Sequence, residues 1–249
     1  MKDSAIPRVE AQRAHQEFVQ AARPPTVMMK ITHARRLYRQ DETFDSFFYP
    51  GIEVITTTTI NDTQLNLLPW EEEWNIVREM NPDYHIPTDY SDYASQPFEE
   101  RQENIEKCLE GAVWMSQKIN DNDDVETKLL PLLKGVTPEE RELCYQVFEG
   151  IGWDTAAFYA TRYFTAGRGN NITALVDDLE TIHSETDIDI FLIGLLSPQY
   201  LSRLPTNVTA AAGQKQWREE VTPSKQSDEE IANTFETVWE EIRTEIPRQ

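Results

Sequence analysis

The chain contains short strand-like segments in which apolar and polar residues do not alternate, and this feature constrains its fold most. Residues 189–196 (DIFLIGLL) are apolar after the first position, and residues 52–59 (IEVITTTT) are β-branched almost throughout. Strands of this kind are usually covered on both faces, as in parallel sheets with helices on either side. Five further strand candidates are 27–32, 84–88, 128–133, 155–160 and 207–212.

Helical patterns separate these strand candidates. They cover residues 8–22, 97–119, 137–150, 172–184, 198–203 and 227–245. The clearest helix start is at residues 137–140 (TPEE), where Thr137 is placed as the N-cap, Pro138 at the first position and Glu140 for a capping box. The alternation of strands and helices predicts an α/β fold, either a (β/α)8 TIM-like barrel, complete or incomplete, or a doubly wound sheet.

We favour the barrel for two reasons. Seven strand candidates in 249 residues suit the usual size of a (β/α)8 barrel. Neither G-x-G-x-x-G nor G-x-x-x-x-G-K-[ST] occurs, so the fingerprints of the common nucleotide-binding sheets are missing. We expect a single domain over residues 1–249, with an N-terminal helical arm at 1–26, the barrel at 27–217 and an acidic helical tail at 218–249.

The chain is strongly acidic. Its 44 Asp and Glu residues outnumber 23 Lys and Arg residues, which gives a net charge of −21, and only 8 of the basic residues are Lys. A carboxylate-rich surface with few lysines is typical of proteins in concentrated salt, where a Debye length of about 3 Å screens the repulsion. We interpret the protein as halophilic, with an ordinary acidic protein as the alternative.

The same sequence contains no membrane or export signal. No apolar run approaches the roughly 20 residues that a membrane span needs, and no basic-then-apolar leader opens the chain. We therefore expect a cytoplasmic protein with no membrane partner.

The net charge leads to a prediction about salt. Below about 0.5 M salt the surface carboxylates are screened less, so the protein should loosen or unfold. Circular dichroism during dialysis from molar to low salt measures this effect. A midpoint of thermal unfolding that is equal in low and molar salt would contradict the halophilic interpretation.

Basic residues are concentrated near the N-terminus. Residues 1–40 carry 8 basic and 3 acidic side chains, and Arg35, Arg36 and Arg39 form the densest cluster. These arginines could contact nucleic-acid phosphates or pair with the acidic remainder of the chain. A second phosphate candidate is the A-G-R-G-N loop ahead of a predicted helix, with Arg162 and Arg168 beside it.

In a (β/α)8 barrel the active site collects at the carboxyl ends of the strands. The best candidate there is Asp89, which ends the segment HIPTD and is followed by Tyr90 and Asp92. A carboxylate at this place can accept hydrogen bonds from the N–H groups of a heterocycle, and neighbouring tyrosines can stack on its ring. The alternative is a loop aspartate that caps a turn.

The sequence predicts neither a metal site nor a nucleophilic triad. The four histidines, at positions 15, 33, 85 and 183, lie far apart, and neither Cys108 nor Cys144 has a partner two to four residues away. No G-x-S-x-G motif occurs. We therefore expect no metal and no cofactor.

Several segments between residues 52 and 217 resemble the tRNA-guanine transglycosylase superfamily. The most persuasive is MNPDYHIPTDYSDY (80–93), followed by the helix ENIEKCLEGAVWMSQKI, which is similar to the family's "P-D-I-hydrophobic-P-hydrophobic-D-D" strand and helix. LLPLLKGVTPEERELCYQVFEGIGWDTAAFYA resembles its strand-"Q-G-G"-helix segment, and FLIGLLSPQYLSRLP resembles its "M-G-V-G-T-P" strand and turn. Roughly two-thirds of the chain is covered.

The resemblance implies a TIM barrel that exchanges a guanine for a 7-deazaguanine in tRNA or, in one branch, in DNA. It implies that Asp89 binds the purine base and that Tyr90 or Tyr159 stacks on it. Lys134 and Gly135 stand where the family has Gln-Gly. The partners implied are a nucleic acid, DNA or tRNA, and a deazapurine base.

The chain departs from the family's pattern at three points. The "D-S-G-G-F-Q" loop is replaced by TTINDTQ (58–64), so acid–base chemistry would fall to Asp62 or Asp92. No carboxylate follows residues 210–213 until Glu219, although the family has its aspartate nucleophile there. The family's zinc module of cysteines and a histidine is missing as well.

Three functions therefore stay open. The first is a base-exchange or base-binding protein acting on tRNA or DNA, in which Glu219, Asp92 or another chain completes the site. The second is a catalytically degenerate barrel that serves as a nucleic-acid-binding or partner subunit, or as a homodimer. The third is an unrelated TIM-barrel enzyme acting on a small metabolite, which predicts a pocket around Asp89 that binds no base.

Overall fold

Eight parallel strands form one curled sheet in the computed structural model, which describes residues 1–164 and 171–247. The strands are β1 (Ala5–Val9), β2 (Thr26–Lys30), β3 (Glu53–Thr57), β4 (Tyr84–Ile86), β5 (Lys128–Leu129), β6 (Thr155–Tyr159), β7 (Asp189–Ile193) and β8 (Val208–Gly213). Their order is β5-β4-β3-β2-β1-β8-β7-β6, so β1 pairs with both β2 and β8. The predicted α/β class is confirmed.

The two edges of this sheet meet beyond the end of β5. Leu132 forms an isolated parallel bridge with Ala157 of β6. The Leu133 N–H donates to the Ala157 carbonyl at 2.9 Å, and the Ala157 N–H donates to the Pro131 carbonyl at 2.8 Å. The sheet therefore curls into a barrel-like fold. The strand predicted over 128–133 is regular only at its start, because Pro131 has no N–H to donate.

Helices connect the strands. They are α1 (Arg13–Ala22), α2 (Ile31–Tyr38), α3 (Phe44–Phe47), α4 (Asp62–Leu65), α5 (Trp70–Met80), α6 (Phe98–Asn120), α7 (Pro138–Ile151), α8 (Ile172–Glu185), α9 (Pro198–Leu201), α10 (Lys215–Glu220) and α11 (Asp228–Glu245), with a 3-10 helix at Ala160–Phe164. The predicted capping box of Thr137 and Glu140 begins α7. Among the described residues, none of these helices has the length and apolar character that crossing a bilayer requires.

The hydrophobic core has an inner and an outer part. The inner part fills the curl of the sheet with buried side chains from all of the strands except β5, together with Leu130 and Leu132 beyond it. The outer part lies between the sheet and the helices, where the ring of Phe18 stacks on that of Trp217 with centroids 4.1 Å apart. Both faces of the strands are therefore covered, as the lack of alternation predicts.

The largest error of the sequence-based prediction concerns the N-terminal segment. The predicted helix over 8–22 begins only at Arg13, and residues 5–9 form β1, which lies between β2 and β8 in the middle of the sheet. The arm at 1–26 is therefore not purely helical. The segment lacks a strand pattern because Pro7 and Arg8 interrupt its apolar run.

The acidic C-terminal helix forms as predicted and covers β1. α11 packs on α1, and the Trp239 indole N–H donates to the Ala5 carbonyl at 2.7 Å. The helices α2 and α5 are among those that the sequence did not predict; α2 begins directly after β2, inside the predicted strand 27–32. When a helix follows a strand without an intervening turn residue, no glycine or proline marks the boundary between them in the sequence.

Candidate functional site

A cavity of about 590 Å³ opens at the carboxyl ends of the strands. Because all the strands are parallel, the residues that follow them lie together at one end of the curled sheet. Side chains after β2 to β6 line the cavity, among them Lys30, Thr59, Asp89, Asp92, Lys134, Tyr159 and Arg162. Asp89, Asp92, Lys134, Tyr159 and Arg162 from the sequence-based site prediction thus line one cavity.

A second cavity, of about 670 Å³, lies at the opposite end of the sheet, where the strands begin. Its charged groups already satisfy one another, since Arg243 pairs with Asp3 at 2.9 Å and with Glu240 at 2.6 Å. The cavity at the carboxyl ends is the better candidate site, because it combines paired carboxylates with an open aromatic rim.

Two aspartates share one lysine in the floor of the cavity. Lys134 Nζ lies 2.7 Å from Asp89 Oδ1 and 2.9 Å from Asp92 Oδ1, and all three side chains are largely buried. Asp92 Oδ2 accepts a hydrogen bond from the Gly135 N–H at 2.9 Å and lies 3.9 Å from Arg162 Nη1. We call Asp89, Asp92 and Lys134 the aspartate–lysine cluster.

The ionisation of this cluster follows from its pairing. Burial alone would lower the pKa of Lys134, but the charges of Asp89 and Asp92 raise it well above the ordinary lysine value. Burial alone would raise the pKa of Asp92, but the charge of Lys134, the Gly135 N–H and the charge of Arg162 bring it below the ordinary value. Lys134 is therefore an ammonium and Asp92 a carboxylate throughout the neutral pH range.

Gly135 is needed for this arrangement. Its φ is +111°, and a Cβ at this position would lie 2.8 Å from the backbone nitrogen of Arg141. A side chain would therefore both strain the backbone and push the chain away from α7. The glycine lets its own N–H reach Asp92.

A buried polar network supports the loop that carries Asp89. Thr88 has a φ of +34°, and its N–H donates to Glu73 Oε1 at 3.0 Å. The same oxygen lies 2.9 Å from His85 Nε2, and His85 Nδ1 lies 2.8 Å from the Thr56 hydroxyl. We call Thr56, Glu73, His85 and Thr88 the support network; it lies behind the cavity wall, between the sheet and α5, and its buried groups cannot touch a ligand.

Aromatic side chains surround the cavity. Tyr93 and Tyr159 line it with 55% and 37% of their surface exposed. The Arg162 guanidinium lies over the rings of Phe158 and Tyr163, and Tyr163 donates to Asp178. The rim therefore offers flat, exposed rings, whereas the floor offers hydrogen-bond acceptors.

Two other predicted residues lie beside the cavity without lining it. Asp62 is exposed at the start of α4, where its Oδ1 accepts from the Ser91 hydroxyl at 2.7 Å. The side chain of Tyr90 is half-buried, and its backbone N–H lies 3.0 Å from Cys108 Sγ. Tyr93, another of the tyrosines that follow Asp89 in the sequence, contributes to the rim instead.

Of the predicted phosphate-binding arginines, those at α2 lie away from the cavity and Arg162 lines it. Arg35 and Arg39 pair with Glu72 at 2.9 and 3.8 Å, and Arg36 is exposed on α2. None of these three lines the cavity among its described residues, whereas Arg162 does. Arg168 lies outside the described residues.

The position after β8 carries no carboxylate in the structure. Gln214 follows β8 and its amide lies 3.4 Å from Glu10 Oε1, and Glu219 is exposed on α10 beside Lys215. Glu10 follows β1, and sequence reasoning missed it because β1 itself was missed. The nearest carboxylate to the end of β8 thus comes from the neighbouring strand.

The described residues contain no group of three His, Cys, Asp or Glu side chains that could hold a metal ion. Cys108 and Cys144 are buried, and burial raises the pKa of both thiols, so neither is a ready nucleophile. Among the described residues that line the cavity, the available chemistry is therefore that of carboxylates, the two ammonium groups of Lys30 and Lys134, the guanidinium of Arg162 and tyrosines.

No model of a protein family matches the chain, and no curated protein sequence matches it. The function must therefore be inferred from the groups in the cavity. Anchored carboxylates below exposed aromatic rings suit a flat heterocycle that donates hydrogen bonds from its edge.

Proposed function

We propose that the eight strands form a (β/α)8 barrel and that the cavity at its carboxyl end binds a guanine-like base. The protein would then be a base-binding or base-exchange protein that acts on tRNA or DNA and is related to the transglycosylases. The observation that carries this proposal is the pair of carboxylates, fixed by Lys134, in the same cavity as the exposed ring of Tyr159.

The barrel is supported by the connections and by the contact between the sheet edges. A helix follows every strand, and Leu132 bridges the outermost strands through Ala157. In such barrels, binding and catalytic groups lie at the carboxyl ends of the strands, which is where the cavity opens.

The two aspartates are suited to different tasks. Both oxygens of Asp92 are occupied, one by Lys134 and the other by the Gly135 N–H. Asp89 uses only Oδ1, and its Oδ2 has no hydrogen-bond partner within the described residues. Asp89 therefore keeps a free acceptor for the N–H groups of a guanine edge, while Asp92 holds Lys134 in place.

A binding role is better supported than base exchange. Exchange at C1′ of the ribose needs a carboxylate nucleophile or a water activated by one. Asp92 is engaged, Asp62 lies outside the cavity, and Gln214 follows β8. These observations favour, as the second candidate, a subunit that binds the base or the nucleic acid while another chain completes the reaction. Incorporation of a labelled deazaguanine into tRNA or DNA by the purified chain alone would exclude that candidate.

Replacing Asp89 with asparagine tests the base-binding proposal. The amide presents a donor to a donating edge, so we expect the affinity for 7-deazaguanine precursors to fall by about 1.5–3 kcal/mol, which is about 10- to 150-fold. Isothermal titration in molar salt measures the affinity, and thermal melting in the same buffer measures stability.

Asp83→Asn is the matched control for this experiment. Asp83 precedes the other end of β4, and its Oδ2 accepts from the Val54 N–H at 2.8 Å. We expect Asp83→Asn to affect melting but not affinity. If the folded wild-type protein binds no deazaguanine, or if both variants bind as the wild type does, the purine site is wrong.

A further inference from the structure

Two basic side chains face the interior of the curled sheet at its carboxyl end. Ile6 of β1 and Met28 of β2 belong to the inner core, and Arg8 and Lys30 lie two residues further along the same faces. The two strands are neighbours, with Arg8 opposite Met28 in register. Lys30 lines the cavity that contains Asp89. We call Arg8, Lys30 and the nearby His33 of α2 the cation cluster.

The positive charge of this cluster at neutral pH comes from Arg8 and Lys30, which repel each other. Burial lowers the pKa of Lys30, and the charge of Arg8 lowers it further, against the attraction of Glu10. Burial likewise lowers the pKa of His33, whereas the charge of Glu10 raises it. The charges of Lys30, Arg8 and Arg36 lower this pKa further. Like charges that are half-removed from water are costly unless an anion compensates them.

Other buried cations of this protein have such an anion. Arg101 pairs with Glu140 at 2.8 Å, and Arg141 pairs with Glu185 at 2.7 Å. Within residues 1–164 and 171–247, the side chains of Arg8 and Lys30 make no ion pair and no hydrogen bond.

Glu10, the acidic neighbour of Lys30 and His33, divides its charge between them and other partners. Glu10 Oε1 lies 3.4 Å from the Gln214 amide, and Glu10 Oε2 lies 3.3 Å from the Gln12 amide. The charges of His15, of His33 in the cluster itself and of Arg218 also act on Glu10. In a chain with a net charge of −21, two half-buried cations without an ion pair among the described residues, one of which lines the cavity, are therefore an exception that points to an anionic ligand.

We propose that the cation cluster binds a phosphate group of the ligand whose base enters the adjoining cavity. The identity of that base rests on the function proposed above, but the phosphate site rests on Arg8, Lys30 and His33 alone. A guanidinium and an ammonium side by side match the oxygens of a phosphate. The phosphate is either the monoester of a free nucleotide or a diester of a polynucleotide.

The positions of the two sites also define the orientation of the ligand. Lys30 is the last residue of β2, and Asp89 follows β4, so the phosphate site and the base site adjoin the same cavity with β3 between them. Thr59 and Ile60, which follow β3, line the cavity between the two sites. A nucleotide bound here would place its base toward Asp89 and its phosphate toward β1 and β2.

The test compares ligands with and without phosphate, using the full chain at the lowest salt concentration at which circular dichroism shows it folded. Isothermal titration measures guanosine, GMP and a short single-stranded oligodeoxyguanylate against the wild type, Lys30→Met, Lys30→Arg and Arg8→Gln. Arg78→Gln is the matched control, because Arg78 is exposed on α5 beside Glu79. Melting of every variant in the same buffer shows that it is folded.

We expect the wild type to bind GMP or the oligonucleotide at least about 10-fold more tightly than guanosine. Lys30→Met and Arg8→Gln should remove most of that difference, while Lys30→Arg and Arg78→Gln keep it. A preference for GMP over the oligonucleotide indicates a free nucleotide, and the reverse indicates a polynucleotide. Equal affinity of the wild type for GMP and guanosine, or an unchanged preference in Lys30→Met, would overturn the phosphate site.

A second measurement separates this proposal from the base site. If guanosine and GMP both fail to bind, inorganic pyrophosphate is added and the melting temperature is measured. A rise in the wild type that is lost in Lys30→Met supports the phosphate site and leaves only the base assignment wrong. The phosphate site itself would be overturned if pyrophosphate left the melting temperature of the wild type unchanged, or raised it equally in the wild type and in Lys30→Met.

Discussion

Replacing Lys134 with methionine is expected to lower the free energy of unfolding by about 3–5 kcal/mol at neutral pH. Methionine fills a similar volume but leaves Asp89 and Asp92 as two carboxylates around one lost cation. The remaining partners, the Gly135 N–H and Arg162, both act on Asp92. Urea unfolding of the wild type and the variant in molar salt measures the difference.

The loss should depend on pH in a defined direction. In the wild type the pKa of Asp92 is lowered, so its contribution to stability is present above the ordinary aspartate pKa and is lost as the pH falls through the lower native value. Lys134 has a raised pKa, so its contribution persists until the solution is strongly alkaline. Without Lys134, the Asp92 carboxylate loses the charge that does most to lower its pKa, so the difference between wild type and variant should shrink as the pH falls toward about 4.

Two further variants make this prediction specific. Lys134→Met combined with Asp89→Asn and Asp92→Asn removes the stranded charges and should recover most of the lost stability. Lys107→Met removes an exposed lysine that pairs with Glu103 one helical turn away, and its midpoint should barely move. A Lys134→Met protein as stable as Lys107→Met would show that the aspartate–lysine cluster is not coupled as its distances imply.

The elements that could be predicted from sequence are those whose pattern is local. Residues 189–193 are apolar enough to be a buried strand in any α/β fold, and Thr137-Pro138 marks a helix start by its own chemistry. β1 could not be predicted in this way. Its strand character comes from pairing with β2 and β8, which lie about 20 and 200 residues away in the chain, and its Pro7 and Arg8 argue against a strand locally.

The same distinction explains the candidate site. The prediction that strand exits share one edge brings Asp89, Lys134 and Tyr159 to a single cavity, because parallel strands end on the same side. The distance of 2.7 Å between Lys134 and Asp89 depends on how the loops after β4 and β5 fold, which no spacing in the sequence encodes. Arg8 and Lys30 were missed because their importance depends on the inward face of an unpredicted strand and its neighbour.

Replacing Glu73 with alanine is expected to cost about 3–5 kcal/mol of stability, the second large effect. Glu73 is buried, and its carboxylate accepts from the Thr88 N–H, the Thr88 hydroxyl and His85. All three donors would be left without an acceptor away from water. Glu72→Ala is the matched control on the same helix, because Glu72 is partly exposed and pairs with Arg35; we expect it to cost less than about 1 kcal/mol.

The Glu73 variant also tests how Asp89 is positioned. Thr88 keeps a positive φ while its N–H is held by Glu73, and it stands one residue before Asp89. Loss of that bond lets Thr88 relax toward ordinary backbone angles, which turns the Asp89 carboxylate away from Lys134. We therefore expect folded Glu73→Ala protein in molar salt to bind a deazaguanine at least about 10-fold more weakly, while Glu72→Ala binds normally. Full affinity in a destabilised but folded Glu73→Ala protein would mean that the support network stabilises the fold without orienting Asp89.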